Sequence, residues 1–230
     1  MESVLAIIPA RGGSKGVENK NIKKLNGEPL ISHTIKEAKK SKYISKIIVS
    51  TDSLEISDIS KKYGAKVPFI RPKNLATDKS LTYDVVKHCV DFYKHQNQVF
   101  DIILLLQPTT PFRSVNQIDK AIEILSKEKD FNSIVSVVDV DGNHPHRMKI
   151  IKNGQLLNYI DQGFEDMSPR QSLPKVYIRS GSIYAIRYEA FLKEKSLVSS
   201  KCLPLVISHE ESINVDTIND FNYCEFIFNK

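Results

Sequence analysis

The sequence predicts an α/β protein, an open and mostly parallel β-sheet with helices on both faces. Short apolar runs alternate with stretches whose apolar residues recur at helical spacing. The runs are apolar throughout, as strands covered on both sides require. A chain of 230 residues, 41% hydrophobic and 26% charged, can bury one substantial core, so one domain spanning 1–230 is expected.

The elements follow in order. SVLAIIP reads as the first strand, and PLISHTIKEAKKSKY sets Leu30, Ile31, Thr34, Ile35 and Ala38 on one helical face. SKIIVST is a second strand, LEISDISKKYG a helix stopped by Gly64, and KVPFIRP a third, shorter strand. The helix LTYDVVKHCVDFYKH precedes the apolar strand DIILLLQ, and the amphipathic VNQIDKAIEILSKE precedes the strand NSIVSVVDV. The rhythm breaks after Val140. From about Asp141 to Lys175, turn residues, short apolar pairs and Pro145, Pro169 and Pro174 read as an inserted arm, a lid or an oligomerisation element. VYIRSGSIYAIR and LPLVIS return to strand text before a last helix, INDFNYCEFIFN.

Composition narrows the function. No apolar run approaches the roughly 20 residues of a membrane helix, and MESVLAII lacks the basic start and cleavage site of a signal peptide. A cytoplasmic protein without a membrane partner is expected. Cys89, Cys202 and Cys224 form no CxxC pair, so a disulfide framework or zinc cluster finds no support. The histidines lack metal-ligand spacing except in HPH, where the intervening proline disfavours shared ligation. The net charge of +6 raises nucleic acid as a partner, but its focus is local: Arg11, Lys15, Lys20, Lys23 and Lys24 stand against Glu18 alone. Interleaved aromatics are missing and there is no Trp, so a nucleic-acid polymer is not expected.

The loop ARGGSKGVENKN follows the first strand, where open α/β sheets bind ligands. Gly12, Gly13 and Gly16 permit close approach of backbone N–H groups to an anion, and the cations add charge-assisted donors, so phosphate is the expected guest. The spacing matches neither GxGxxG nor GxxxxGK[ST], which argues against dinucleotide oxidoreductases and P-loop hydrolases. STD, RPKNLATDKS and QPTTPFR also follow strand candidates and should face the same crevice. Together these loops bring Arg11, Lys20, Asn21, Arg71, Thr82 and Gln107, without a nucleophile and partnered base. In ESINVDT, Asp216 is either a carboxylate that holds Mg²⁺ against phosphate or the N-cap of the last helix.

The segments IIPARGGSKG, KN, IVSTDS, RPKNLATD, LLLQPTTPFR, SPRQSLP, GSIYAI and ESINVDT, in this order, resemble the acylneuraminate cytidylyltransferase family, the CMP-sialic acid synthetases, along nearly the whole chain. The resemblance implies a doubly wound, Rossmann-like fold and a homodimer in which the arm of one subunit completes the active site of the other. It also implies the reaction: the anomeric hydroxyl of a nine-carbon 2-keto-3-deoxy sugar acid attacks the α-phosphorus of CTP, with Mg²⁺, to give a CMP-sugar and pyrophosphate. By position, Arg11, Gly12, Gly13, Lys15, Lys20 and Asn21 would hold the triphosphate and orient cytidine, with Arg71 and Thr82 completing the nucleotide site. Gln107 would lie beside the reacting end of the sugar. Arg147 and Arg170 would meet the sugar carboxylate across the dimer, and Ser180 and Tyr184 would border the sugar pocket. Arg11, Lys20, Gln107 and Asp216 carry the expected chemistry, and Asp216 with Asn214 the metal.

Two departures from the family pattern stand out. Asn214 replaces one of two paired acids, so the number of metal ions is open, and Ser180 and Arg179 replace asparagine and proline, which bears on the choice among N-acetylneuraminic, legionaminic and pseudaminic acids. The alternatives are a CMP-Kdo synthetase or another sugar nucleotidyltransferase, and a non-catalytic nucleotide-binding regulator.

Overall fold

The computed structural model describes residues 2–14, 16–161, 163–165 and 167–230. In chain order it contains β1 (Val4–Pro9), β2 (Lys24–Leu25), β3 (Glu28–Pro29), α1 (Leu30–Lys40), β4 (Lys46–Ser50), α2 (Leu54–Lys62), α3 (Thr82–Lys94) and β5 (Ile102–Leu106). There follow α4 (Val115–Lys127), β6 (Ser133–Asp139), β7 (Lys149–Lys152), β8 (Gln155–Asn158), β9 (Tyr177–Arg187), α5 (Tyr188–Glu194), β10 (Cys202–Val206) and α6 (Ile218–Phe228).

Strand alternation builds the layers. In β1, Val4, Ala6 and Ile8 face one side and pack with Ile31, Ile35 and Ala38 of α1 and Ile118, Ala121 and Leu125 of α4. Leu5 and Ile7 face the other side, with Val86, Cys89 and Val90 of α3 and Phe191 of α5. A sheet coated on both sides needs apolar residues at every strand position, and β1 and β5 have them.

The sheet has six strands in the order β10-β6-β9-β5-β1-β4. β4, β1 and β5 run parallel, as do β6 and β10, while β9 runs antiparallel to both its neighbours. The result is a mostly parallel, doubly wound α/β sheet in which Pro9 of β1 lies beside Ser50 of β4. The loops that leave these strands therefore emerge side by side at one rim.

Local chemistry fixes the ends of the helices. The Ser53 hydroxyl accepts from Ile56 N–H to cap α2, and Gly64, at φ +93°, turns the chain after it. Ser114 with Gln117, and Thr217 with Asp220, form reciprocal caps on α4 and α6.

The expected strand KVPFIRP is reduced to two isolated bridges, Ile48 with Lys66 and Thr51 with Ile70. Pro68 lies between them and has no N–H to donate, so a continuous ladder cannot form. Two hairpins were not foreseen. Asn26-Gly27 and Asn153-Gly154 both take positive φ, the geometry of a two-residue hairpin turn, and close β2–β3 and β7–β8. The helix α5 was also missed, its seven residues being too few to show a period.

The chain leaves the sheet after β6 and rejoins it at β9. Between them lie a one-turn helix at Pro145–Arg147, the β7–β8 hairpin and another turn at Arg170–Ser172. This arm exposes Ile151 (79%), Leu156 (68%) and Met167 (84%) to solvent, together with Tyr159 and Phe164.

Candidate active site

The glycine loop is held in place by the residues around it. Gly16 lies so close to the segment before α6 that a Cβ there would stand 2.1 Å from the carbonyl oxygen of Asp216, so only glycine lets loop and segment touch. That segment is fixed in turn. Val215 N–H donates to Thr109 O at 2.8 Å, and its side chain is buried with Leu25, Leu30 and Phe221. Lys20 Nζ donates to Val215 O at 2.7 Å and pairs with Asp216 Oδ1 at 3.2 Å. The N-cap of α6 is Thr217, which leaves the Asp216 carboxylate free to meet Lys20.

The loops after β1 and β5, the segment from Arg71 into the start of α3 and the segment before α6 enclose a cleft of about 370 Å³ lined by Arg11, Lys20, Asn21, Arg71, Thr82, Gln107 and Asp216, with Gly16, Leu75 and Asp78 among their neighbours. The STD loop after β4, expected at the same crevice, does not line it and stands behind Arg71, with Asp52 3.8 Å from the guanidinium. The cleft lining sets the cations Arg11, Lys20 and Arg71 against the carboxylates Asp78 and Asp216, an excess of positive charge that can hold an anion. Arg71 is 4% exposed and its Nε and Nη2 have no hydrogen-bond partner. Burial holds its pKa below the ordinary arginine range, and Asp52, 3.8 Å away, offsets part of that. The amide of Asn21 donates to Arg11 O at 3.0 Å, leaving its buried Oδ1 unpartnered. Arg11 reaches Asp78 at 2.5 Å, so an arriving anion exchanges one partner for another. The positive end of α3 adds its field at Thr82.

The loop after β5 owes its shape to Arg113, a fully buried cation. Its Nη1 donates to Gln107 O (3.1 Å), Thr110 Oγ1 (2.8 Å) and Ser182 O (2.7 Å), and its Nη2 donates to Thr34 Oγ1 (2.5 Å). Burial pulls its pKa down to about 9. Gln107 is thereby set against β9, where a Cβ on Gly181 would meet Gln107 Oε1 at 3.4 Å. Arg113 stood in the quoted QPTTPFR but carried no predicted role, since a buried counter-partner cannot be seen in one segment.

The remaining predicted residues lie elsewhere. Gly12 N–H already donates to Asp52 Oδ1 at 3.0 Å, so it is not a spare phosphate donor, whereas Gly13 is exposed. Lys15 falls outside the described residues. Ser180 is not among the cleft lining: its hydroxyl is buried on Ser136, 2.7 Å from Oγ, at the bulge between β6 and β9. Tyr184 is half-buried in β9 against the α3 layer. Arg147 donates to Ser168 O at 2.9 Å, and Arg170 pairs with Asp141; both lie in the arm and do not line the cleft.

The metal question turns on Asn214 and Asp216. Asn214 Nδ2 donates to Asp216 Oδ2, and its buried Oδ1 has no partner. Among the described residues no group of three His, Cys, Asp or Glu side chains converges as a metal cage. One carboxylate and one amide oxygen fit Mg²⁺ of the kind that draws its other ligands from phosphate and water.

Residues 5–201 match the sequence profile of a family described as cytidylyltransferase. The chain belongs to the cytidylyltransferase family. It is a nucleotidyltransferase, and its similarity to two bacterial relatives extends over nearly their whole length. It is 38% identical to CMP-N,N'-diacetyllegionaminic acid synthase of Legionella pneumophila, over 96% of this chain and 94% of the relative. It is 29% identical to pseudaminic acid cytidylyltransferase of Campylobacter jejuni, over 97% and 95%. A solved structure of CMP:2-keto-3-deoxy-manno-octonic acid synthetase complexed with CTP superimposes with a TM-score of 0.72 at 15% identity, over 99% and 98%, a likeness of fold.

Proposed function

We propose that this cytidylyltransferase couples CTP to a nonulosonic, nine-carbon sugar acid, releasing pyrophosphate. The observation that carries the reading is the cleft itself. Arg71 donors and an Asn21 acceptor, both buried and unpartnered, offer the complement of a nucleobase edge, while Arg11 and Lys20 supply charge for a polyphosphate. Support for the acid comes from relatives that act on legionaminic and pseudaminic acids and are matched along nearly their whole length. The likeness to the octonic acid synthetase is one of fold alone.

The reaction needs alignment more than covalent help. The anomeric hydroxyl gives its proton to water as its oxygen forms a bond to the α-phosphorus, the bond from that phosphorus to the α,β-bridging oxygen breaks, and the electron pair leaves with pyrophosphate. Arg11 and Lys20 hold the triphosphate in line and stabilise charge that grows on the leaving group. Gln107, fixed by Arg113, lies between the cleft and β9 and orients the sugar's reacting end. Asp216 and the Asn214 amide oxygen would hold Mg²⁺, which when bound screens the phosphate oxygens from one another.

The sugar side of the site is completed by a second copy of the chain. A two-stranded hairpin is marginal alone, and the β7–β8 arm with exposed Ile151, Leu156, Phe164 and Met167 gains stability when it is covered. Arg147 and Arg170, carried by this arm, then meet the acid's carboxylate in the partner's cleft. A reducing cytoplasm suits the three unpaired cysteines, and among the described residues no helix is long and apolar enough to cross a membrane.

The test is pyrophosphate release with Mg²⁺, each of the nucleoside triphosphates, and legionaminic, pseudaminic, N-acetylneuraminic and 2-keto-3-deoxy-octonic acids. Turnover with CTP and a nine-carbon acid is expected. Turnover confined to the eight-carbon acid or to another triphosphate contradicts the reading, and CTP binding without turnover on any acid indicates a regulator instead.

A further inference from the structure

The nucleotide reading leaves Asp52 without a role, yet the geometry points to it as the positioning residue that couples the glycine loop to Arg71. Its Oδ1 accepts from Gly12 N–H at 3.0 Å and lies 3.8 Å from Arg71 Nη2. The first contact is a hydrogen bond. The second is an ion pair too long to consume a donor. A buried cation needs a counter-charge, but a carboxylate at hydrogen-bond distance would occupy the groups that a nucleotide must use. At this separation Arg71 keeps its charge balanced while Nε and Nη2 stay unpartnered in the cleft wall.

Several local devices hold Asp52 there. Arg71 N–H donates to Thr51 O at 2.8 Å, which fastens the two segments side by side. Ser53 N–H donates to Thr51 Oγ1 at 3.1 Å, and the Ser53 hydroxyl caps α2, so Asp52 is fixed between a strand end and a helix start. A Cβ on Gly12 would stand 3.3 Å from Ser53 Cβ and 3.8 Å from Asp52 Oδ2, so the loop reaches this carboxylate by having glycine at its turn. One oxygen thus sets both the first turn of the phosphate loop and the position of the buried guanidinium. A shift at either end is transmitted to the other.

The inference rests on the reading that the cleft binds CTP, and calorimetric titration of CTP separates the two. Wild-type protein that fails to bind CTP refutes the nucleotide reading and this role with it. Binding by wild type that is equalled by Asp52→Ala refutes the role of Asp52 alone. The expected result is that Asp52→Ala weakens CTP binding by ~10-fold or more and raises KM for CTP more than it lowers kcat. Asp52→Asn keeps an acceptor for Gly12 N–H and recovers part of the loss; it also decides the matter if the alanine variant does not fold. In an Arg71→Met background, Asp52→Asn costs no more than ~2-fold further, because the charge it removes has lost its partner. Additive losses in that double variant, or no recovery in Asp52→Asn, overturn the proposal.

Discussion

The rim of the sheet and the arm carry similar chemistry, arginines beside apolar residues, in opposite states of completion. At the rim, Arg71 is buried with a counter-charge set at a distance, Arg113 is spent on four acceptors, and the glycine loop is packed to contact on Asp216. In the arm, Arg147 donates to Ser168 O and Arg170 pairs with Asp141, both exposed contacts, and Ile151, Leu156 and Met167 face solvent. A binding site made by one chain pays for its order within that chain. The difference teaches where the proposed function is most exposed to test: the cleft residues find their partners within one chain, whereas the arm presents apolar surface that a second copy would cover.

The contrast breaks first, and by the largest amount, at the rim. Arg11→Ala and Asp216→Ala should each lower kcat/KM on the order of a hundredfold or more, as loss of a transition-state charge contact does, and steady-state kinetics of pyrophosphate release checks it. Rates near wild type would show that the rim is not where phosphate is handled. The arm sharpens the comparison. Ile151→Asp combined with Leu156→Asp should yield a monomer in sedimentation, with CTP affinity within ~3-fold of wild type and sugar coupling down by ~10-fold or more. A smaller effect belongs to neither region. At the opposite rim, burial raises the pKa of Glu2, but hydrogen bonds from Ser126, Lys129 and Arg187 outweigh it and hold the carboxyl at about 2. A carboxylate depressed in the folded state stabilises above its ordinary pKa of 4.5 and loses that contribution as pH falls through about 2. Acid unfolding of Glu2→Gln should therefore approach that of wild type at the low end of this window and differ above it.

What was legible in the sequence was whatever a local pattern carries. The alternation of β1, α1, β4, α2, α3, β5, α4 and β6 could be read because each period lies within one segment, and the rim loops followed because parallel strands share a carboxyl end. Arg11, Lys20, Asn21, Arg71, Thr82 and Gln107 could be gathered on that ground, Asp216 was added by the family resemblance, and all seven line one cleft. What escaped depends on distant partners. Arg113 meets Ser182 and Thr34, and Asp52 meets Gly12 and Arg71, contacts that no spacing announces. The antiparallel direction of β9 was equally hidden, since a strand's own residues do not record which way its neighbours run.

The central claim is that each active site joins the cleft of one chain to the arm of another, and mixing two inactive variants tests it most directly. Arg71→Ala removes a cleft and keeps the arm; Arg147→Ala with Arg170→Ala removes the arm's cations and keeps the cleft. Each preparation alone should be nearly inactive in pyrophosphate release. After subunit exchange at equal amounts, half of the dimers are mixed and one of their two sites is whole, so activity should return to about a quarter of wild type. Mixtures that stay as inactive as their components, or an arm variant that is fully active alone, would contradict the account.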